Sequence, residues 1–402
     1  MEPRNSWRRW LVLAACFLLM AVCYSIVNTI HSLFMVPVTQ ALGFSLGAFS
    51  TLFTIAAVST ALASPLVGRL LGRVNIKWVM VVGAVLAGGG FWCYSLCHAL
   101  PAFYAVAVVV AVGMTMLTIL PISTLLTGWF PDKTGIVMGI AFAGSGSGSL
   151  VWMQVVTRYL ERHSYVQTYH TLGLIMLAVA LPLTLLVIQA PPPGTRQREQ
   201  ATTGAAAGTR LDRRALFSSP VFLLFVSGLF LVGLAISGTQ VHVQSYLSSL
   251  GYPSAHNANV GSLQALAALT GTVLGGVAFD RLPLRRAVAL FGGMALLGYV
   301  CFLLAAVPGA PYLAALFYGQ CLCLGTLLPA YGTGALFADQ NYAATLGVVN
   351  LVFILGGALG PALSGFVADL AGYRVVWAFY LIVTAGYLVL LTAAFRQANG
   401  RE

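Results

Sequence analysis

Charge is what this chain most lacks. Of its 402 residues only 7% are Asp, Glu, Lys or Arg, where a soluble domain carries about a quarter. So few charges cannot coat a water-exposed surface of this size. The composition is 59% hydrophobic with a mean hydropathy of +0.91, so the outer surface must face lipid. Acids are scarcest, nine in all and dispersed. No clustered carboxylates can assemble for a metal or for paired acid–base chemistry, which argues against an enzyme such as a lipid or prenyl transferase. No Cys-x-x-Cys pair occurs among Cys16, Cys23, Cys93, Cys97, Cys301, Cys321 and Cys323. Nearly all lie in apolar runs as small hydrophobes, so neither a disulfide framework nor a zinc site is expected. Strict alternation of polar and apolar residues is missing too, which excludes an outer-membrane barrel. No cofactor is expected.

What is present is a series of long apolar runs, each near the roughly 20 residues a helix needs to cross about 30 Å of hydrocarbon. Lipid leaves open sheets and irregular chain unpaired, so the runs are helices. Twelve spans are read near 10–36, 46–71, 77–97, 101–127, 135–158, 167–189, 220–246, 257–280, 287–307, 311–336, 344–368 and 375–395. The first follows Arg8 and Arg9 and is too long for a cleaved signal peptide, so it should stay. With both termini cytoplasmic, 17 of the 20 Lys and Arg fall inside and only Arg158, Arg162 and Arg374 outside. That bias is the topology signal of a multi-pass protein of the cell (plasma or inner) membrane. It also accounts for the net charge of +11 without nucleic acid.

The longest hydrophilic stretch, near 190–219, holds Pro191-Pro192-Pro193 and the cluster Arg210, Arg213 and Arg214. It reads as a flexible linker. The expected fold is therefore an all-α membrane protein of twelve transmembrane helices in two pseudo-symmetric six-helix bundles. The N-terminal bundle covers 1–190, a cytoplasmic linker 191–218, and the C-terminal bundle 219–402.

The halves echo each other. Gly68-Arg69-Leu70-Leu71-Gly72-Arg73-Val74-Asn75-Ile76-Lys77 follows the second span, and Gly276-Val277-Ala278-Phe279-Asp280-Arg281-Leu282-Pro283-Leu284-Arg285-Arg286 follows the eighth. Each pairs a glycine, which allows close helix approach, with basic residues that can bond helix-end carbonyls. Asp280 can pair with one of these or sit near the next helix N-terminus. This pattern resembles the loop motif of the major facilitator superfamily, with Gly72 and Asn75 departing from it in the first copy. Trp129-Phe130-Pro131-Asp132-Lys133-Thr134-Gly135 with Gly139 and Ala143 to Gly148, the segment His242 to Pro253, and the glycines of span eleven resemble its monocarboxylate-porter and oxalate/formate-antiporter branches. The resemblance implies a secondary transporter that moves a small organic solute by alternating access. It also implies gating roles for Gly68, Arg69, Arg73, Lys77, Gly276, Asp280, Arg281, Arg285 and Arg286, and a monomer as the working unit. Its partners are the solute and membrane lipid. The glycine runs also fit either sliding contact or static tight packing.

No charged residue stands in the middle of any span. A doubly charged solute would find no fixed neutralising charge, and span eight from Gln264 to Phe279 lacks the cation that the resemblance implies for dicarboxylate antiporters. Polar groups remain on the spans that line the superfamily's central cavity. Tyr24, Asn28 and His31 sit at i, i+4 and i+7, one helix face. Thr115 and Thr118 either meet solute or bond their own backbone. Gln240, His242 and Gln244 lie on span seven, Gln264 on eight, Gln320 and Tyr331 on ten, and Asn350 on eleven, where an interhelical bond is the alternative. His31 and His242 are the ionisable candidates for proton coupling. The expected cargo is a monocarboxylate or similar weak acid. The rival is export or facilitated passage of an apolar or zwitterionic compound.

Overall fold

The computed structural model describes residues 6–130, 134–190, 217–337 and 342–399. All but the last two residues of the expected linker, 191–218, lie outside these, as do Pro131, Asp132 and Lys133 of the motif before span five. Every regular element among the described residues is helical. With short breaks merged, they are α1 Trp7–Leu42, α2 Leu46–Arg73, α3 Ile76–Leu96, α4 Leu100–Trp129, α5 Thr134–Leu160 and α6 Tyr165–Val187, then α7 Pro220–Ser249, α8 Ser254–Arg281, α9 Leu284–Leu303, α10 Ala310–Leu336, α11 Tyr342–Ala371 and α12 Tyr373–Asn399. Ten are long and apolar enough to cross a membrane. The 46° bend in α10 makes it an eleventh if both parts form one span, and α5, which carries the Gly/Ser run, is not among them.

Proline explains most of the breaks. It lacks an N–H and its ring clashes with the carbonyl four residues back. Pro121 and Pro329 therefore disrupt α4 at Thr118 and α10 at Leu327, and Pro37 explains the 3₁₀ turn Ile30–Phe34 in α1. The π-turn Met20–Tyr24, also in α1, has no proline within reach. α7 runs 30 residues without a break. Asn75 starts α3 by accepting the Lys77 N–H at 3.0 Å, and a Ser164–Gln167 capping box starts α6.

The helices divide into two compact units. The first holds the chain up to Phe44 and from Ile55 to the linker; the second holds Ser45–Thr54 and the chain after the linker. In the first unit α1 packs on α5 so closely that a Cβ at Gly144 would meet Phe17 O, and one at Gly148 would meet Ala21 O. In the second unit α7 packs on α11 in the same way, with Gly356 against Phe230 O and Gly360 against Leu234 O. The internal repeat thus extends to the same pair of glycine-on-carbonyl contacts. Within the second unit, the Asp369 carboxylate at the end of α11 accepts the N–H of Leu46 at 3.0 Å and of Gly47 at 2.7 Å, capping α2.

Two loop glycines do not do what was expected of them. A Cβ at Gly68 or Gly276 would meet open space. Gly275 is the residue that faces α10, against Cys323; Gly276 is turned about 100° away around the helix.

Candidate functional site

In the first unit, α1 carries most of the candidates. Asn28 is exposed, Tyr24 is half-buried, and the Asn28 amide donates to Tyr24 O at 3.3 Å. His31 does not share that exposure. It is buried, its Nε2 lies 2.9 Å from the Tyr169 hydroxyl, and it sits among Phe34, Phe91, Tyr94 and Tyr169 with ring centroids 5.1 to 6.0 Å away. The i, i+4, i+7 reading assumed one unbroken α-helix. The α-helical stretch instead ends at Asn28, Thr29 follows at φ −108°, and His31 stands in the 3₁₀ turn Ile30–Phe34, so the angles of the pattern do not carry across the break. Thr115 and Thr118 are buried and donate to the carbonyls of Ala111 and Met114, at 2.8 and 2.7 Å. The backbone alternative is the one observed, and it occupies both hydroxyl protons.

In the second unit, His242 is fully buried, with Nε2 2.9 Å from Pro361 O and Nδ1 3.2 Å from the Tyr373 hydroxyl. The carbonyl can only accept, so Nε2 carries a proton, and in the neutral ring Nδ1 accepts from the Tyr373 hydroxyl. Gln240 is half-buried and Gln244 buried, its carbonyl oxygen without a partner among the described residues. Gln264 and Gln320 are half-buried; Gln320 donates to Thr270 at 2.9 Å. Tyr331 is exposed and donates to Asp280 at 2.7 Å, so this acid pairs with a phenol on α10 rather than with a neighbouring arginine. Asn350 is exposed on α11. The basic loop residues Arg69, Arg73, Arg281, Arg285 and Arg286 are exposed and Lys77 is half-buried.

Each unit therefore shows an amide on an apolar helix, Asn28 and Asn350, turned out of its own core. Lipid would charge free energy for either. The charged residues of the described helices stand within two turns of a helix end. Among the described residues, no group of three or more His, Cys, Asp or Glu could hold a metal ion. The chemistry on offer is neutral hydrogen bonding. Residues that the sequence pattern left unmarked are Tyr169 and Tyr373, which hold the two histidines, and Ser145, Ser149 and Trp152 on α5, which bond α1. Of these α5 contacts, Ser145 contributes its backbone carbonyl, which no residue identity marks, while Ser149 and Trp152 use their side chains.

The sequence profile of the Major Facilitator Superfamily matches residues 17–334. Monocarboxylate transporter 13 of Rattus norvegicus is 23% identical over 98% of this chain and 91% of its own. Monocarboxylate transporter 11 of Homo sapiens is 28% identical over 92% of this chain and 79% of its own. Among solved structures, that of the nucleoside transporter NupG superposes with a TM-score of 0.78 at 16% identity, covering 97% of this chain and 98% of that one. At that identity the likeness shows the fold alone.

Proposed function

Because the chain belongs to the major facilitator superfamily, we propose that it is a secondary transporter of a monocarboxylate or similar small weak acid, working by alternating access. It is a multi-pass membrane protein with transporter relatives, among them proteins named monocarboxylate transporters. In this reading the spans number twelve in two six-helix bundles, α5 and α10 included. Both termini are cytoplasmic and the membrane is the cell membrane, as the basic residues favour.

One observation carries the substrate class: helices of both units expose neutral amides, Asn28 and Asn350, with every charge of the described helices near a helix end. These amides border the solute path. A monoanion can be held there by hydrogen bonds, and it crosses as a neutral pair when a proton moves with it. A dianion would need a fixed counter-charge. Gln240, Gln264, Gln320 and Tyr331 extend the polar surface. His31 and His242 are the proton-coupling candidates. Both are packed in aromatic surroundings here, so a proton reaches either one only when those contacts open.

That burial also favours a second reading, facilitated passage or export without proton coupling. Uptake of a labelled monocarboxylate into proteoliposomes separates them. Proton-coupled transport predicts faster uptake with the outside acid than with no pH difference. Equal uptake in both conditions removes the coupling, and uptake no faster than in protein-free vesicles removes the monocarboxylate.

A further inference from the structure

The π-turn of α1 has no cause in its own sequence, and its cause lies on α5. In a continuous α-helix the Ser25 N–H would bond Ala21 O, four residues back. Here it bonds Met20 O, five back, and Ala21 O takes the Trp152 indole N–H instead, at 3.0 Å. The Ser25 hydroxyl donates to Met20 O at 3.2 Å and Ser145 O at 2.8 Å, and Ser149 donates to Thr29 at 3.1 Å. Gly148 leaves the room for this approach, since its Cβ would sit on Ala21 O. The bulge is thus held open by bonds from one neighbouring helix.

Its effect is rotational. A π-turn holds one extra residue, which sets the following helix back by about 100°. In an unbroken α-helix residue 28, seven past Ala21, would return to within about 20° of it, the side that faces α5. The second unit provides the comparison. Leu234 O meets Gly360 as Ala21 O meets Gly148, α7 has no bulge, and seven residues on Val241 is buried at 8% exposure. Asn28, after the bulge, is exposed.

We propose that Trp152 is a positioning residue: by holding the π-turn it rotates Asn28 away from α5 and onto the solute path. This rests on the reading of Asn28 given above. Without the indole donor, Ala21 O is left without that bond in an apolar setting, and the ordinary bond from Ser25 becomes the favoured one. The helix then straightens and position 27 takes the place of position 28.

The test is thiol reactivity in reconstituted full-length protein, with Asn28→Cys and Val27→Cys made separately and the seven native cysteines' signal subtracted. In the parent, the thiol at position 28 should react at least ten-fold faster with a water-soluble reagent than the one at 27. Adding Trp152→Phe should reverse that order. Should Trp152→Phe not fold, deletion of Val22 removes the extra residue while keeping the face of Asn28. In that background Trp152→Phe should fold and leave position 28 reactive. An unchanged order in Trp152→Phe, or the same loss at both positions, overturns the proposal. Reactivity is read without solute, so a failure of Asn28→Ala to alter uptake would count against the path reading and not against the rotation.

Discussion

Gly148 and Gly146 are two residues apart on α5 and predict opposite outcomes. Alanine at 148 would place a methyl on the Ala21 carbonyl, a backbone atom that cannot swing away. Overpacking of this kind costs about 1–3 kcal/mol. Alanine at 146 meets open space and relieves the entropic cost of a mid-helix glycine, a gain of about 0.5–1 kcal/mol. The thermal unfolding midpoint in detergent should therefore fall for Gly148→Ala and hold or rise for Gly146→Ala. The threonines and asparagines divide in a similar way. The Thr115 and Thr118 hydroxyls are already committed to their own helix, so Thr115→Val and Thr118→Val should leave uptake within about two-fold of the parent. Asn28→Ala and Asn350→Ala should each lower it about ten-fold or more, the scale of one lost hydrogen bond to a charged group. Asn28 could be found from sequence because an amide inside an apolar run is conspicuous. The burial of His31 could not, because its nest is assembled from α3 and α6, far along the chain.

At the scale of elements, the breaks are instructive. Those of α4 and α10 follow from Pro121 and Pro329 and are readable residue by residue. The π-turn at Met20–Tyr24 has no such mark, since the bond that supports it comes from Trp152, more than a hundred residues away. The spacing from Tyr24 to His31 begins where that turn ends, and its periodicity fails at the separate break between Asn28 and the 3₁₀ turn Ile30–Phe34. The start of α2 offers a separate test. Asp369 satisfies two N–H groups that a helix N-terminus leaves unpaired. Removing such a cap costs about 1 kcal/mol, so Asp369→Ala should lower the unfolding midpoint by a few degrees, with Asp369→Asn falling between it and the parent. Equal midpoints for all three would show that water replaces the cap at no cost.

For the molecule as a whole, the family was legible because its signals are collective. Basic residues gathered in alternate breaks, a loop motif repeated after the second and eighth spans, and glycine runs in α5 and α11 all survive without any exact side-chain geometry. The repeat has a structural counterpart in glycines that meet backbone carbonyls four residues apart in each unit. Solute identity has no such collective signal, since it depends on which few polar atoms face the path. The central claim is that this path is polar and carries no permanent charge. It is tested most directly by competition in proteoliposomes, with a monocarboxylate and a dicarboxylate of the same carbon number set against uptake of a labelled monocarboxylate. The account predicts that the unlabelled monocarboxylate suppresses uptake at concentrations at least ten-fold lower than the dicarboxylate. Stronger suppression by the dicarboxylate would contradict it.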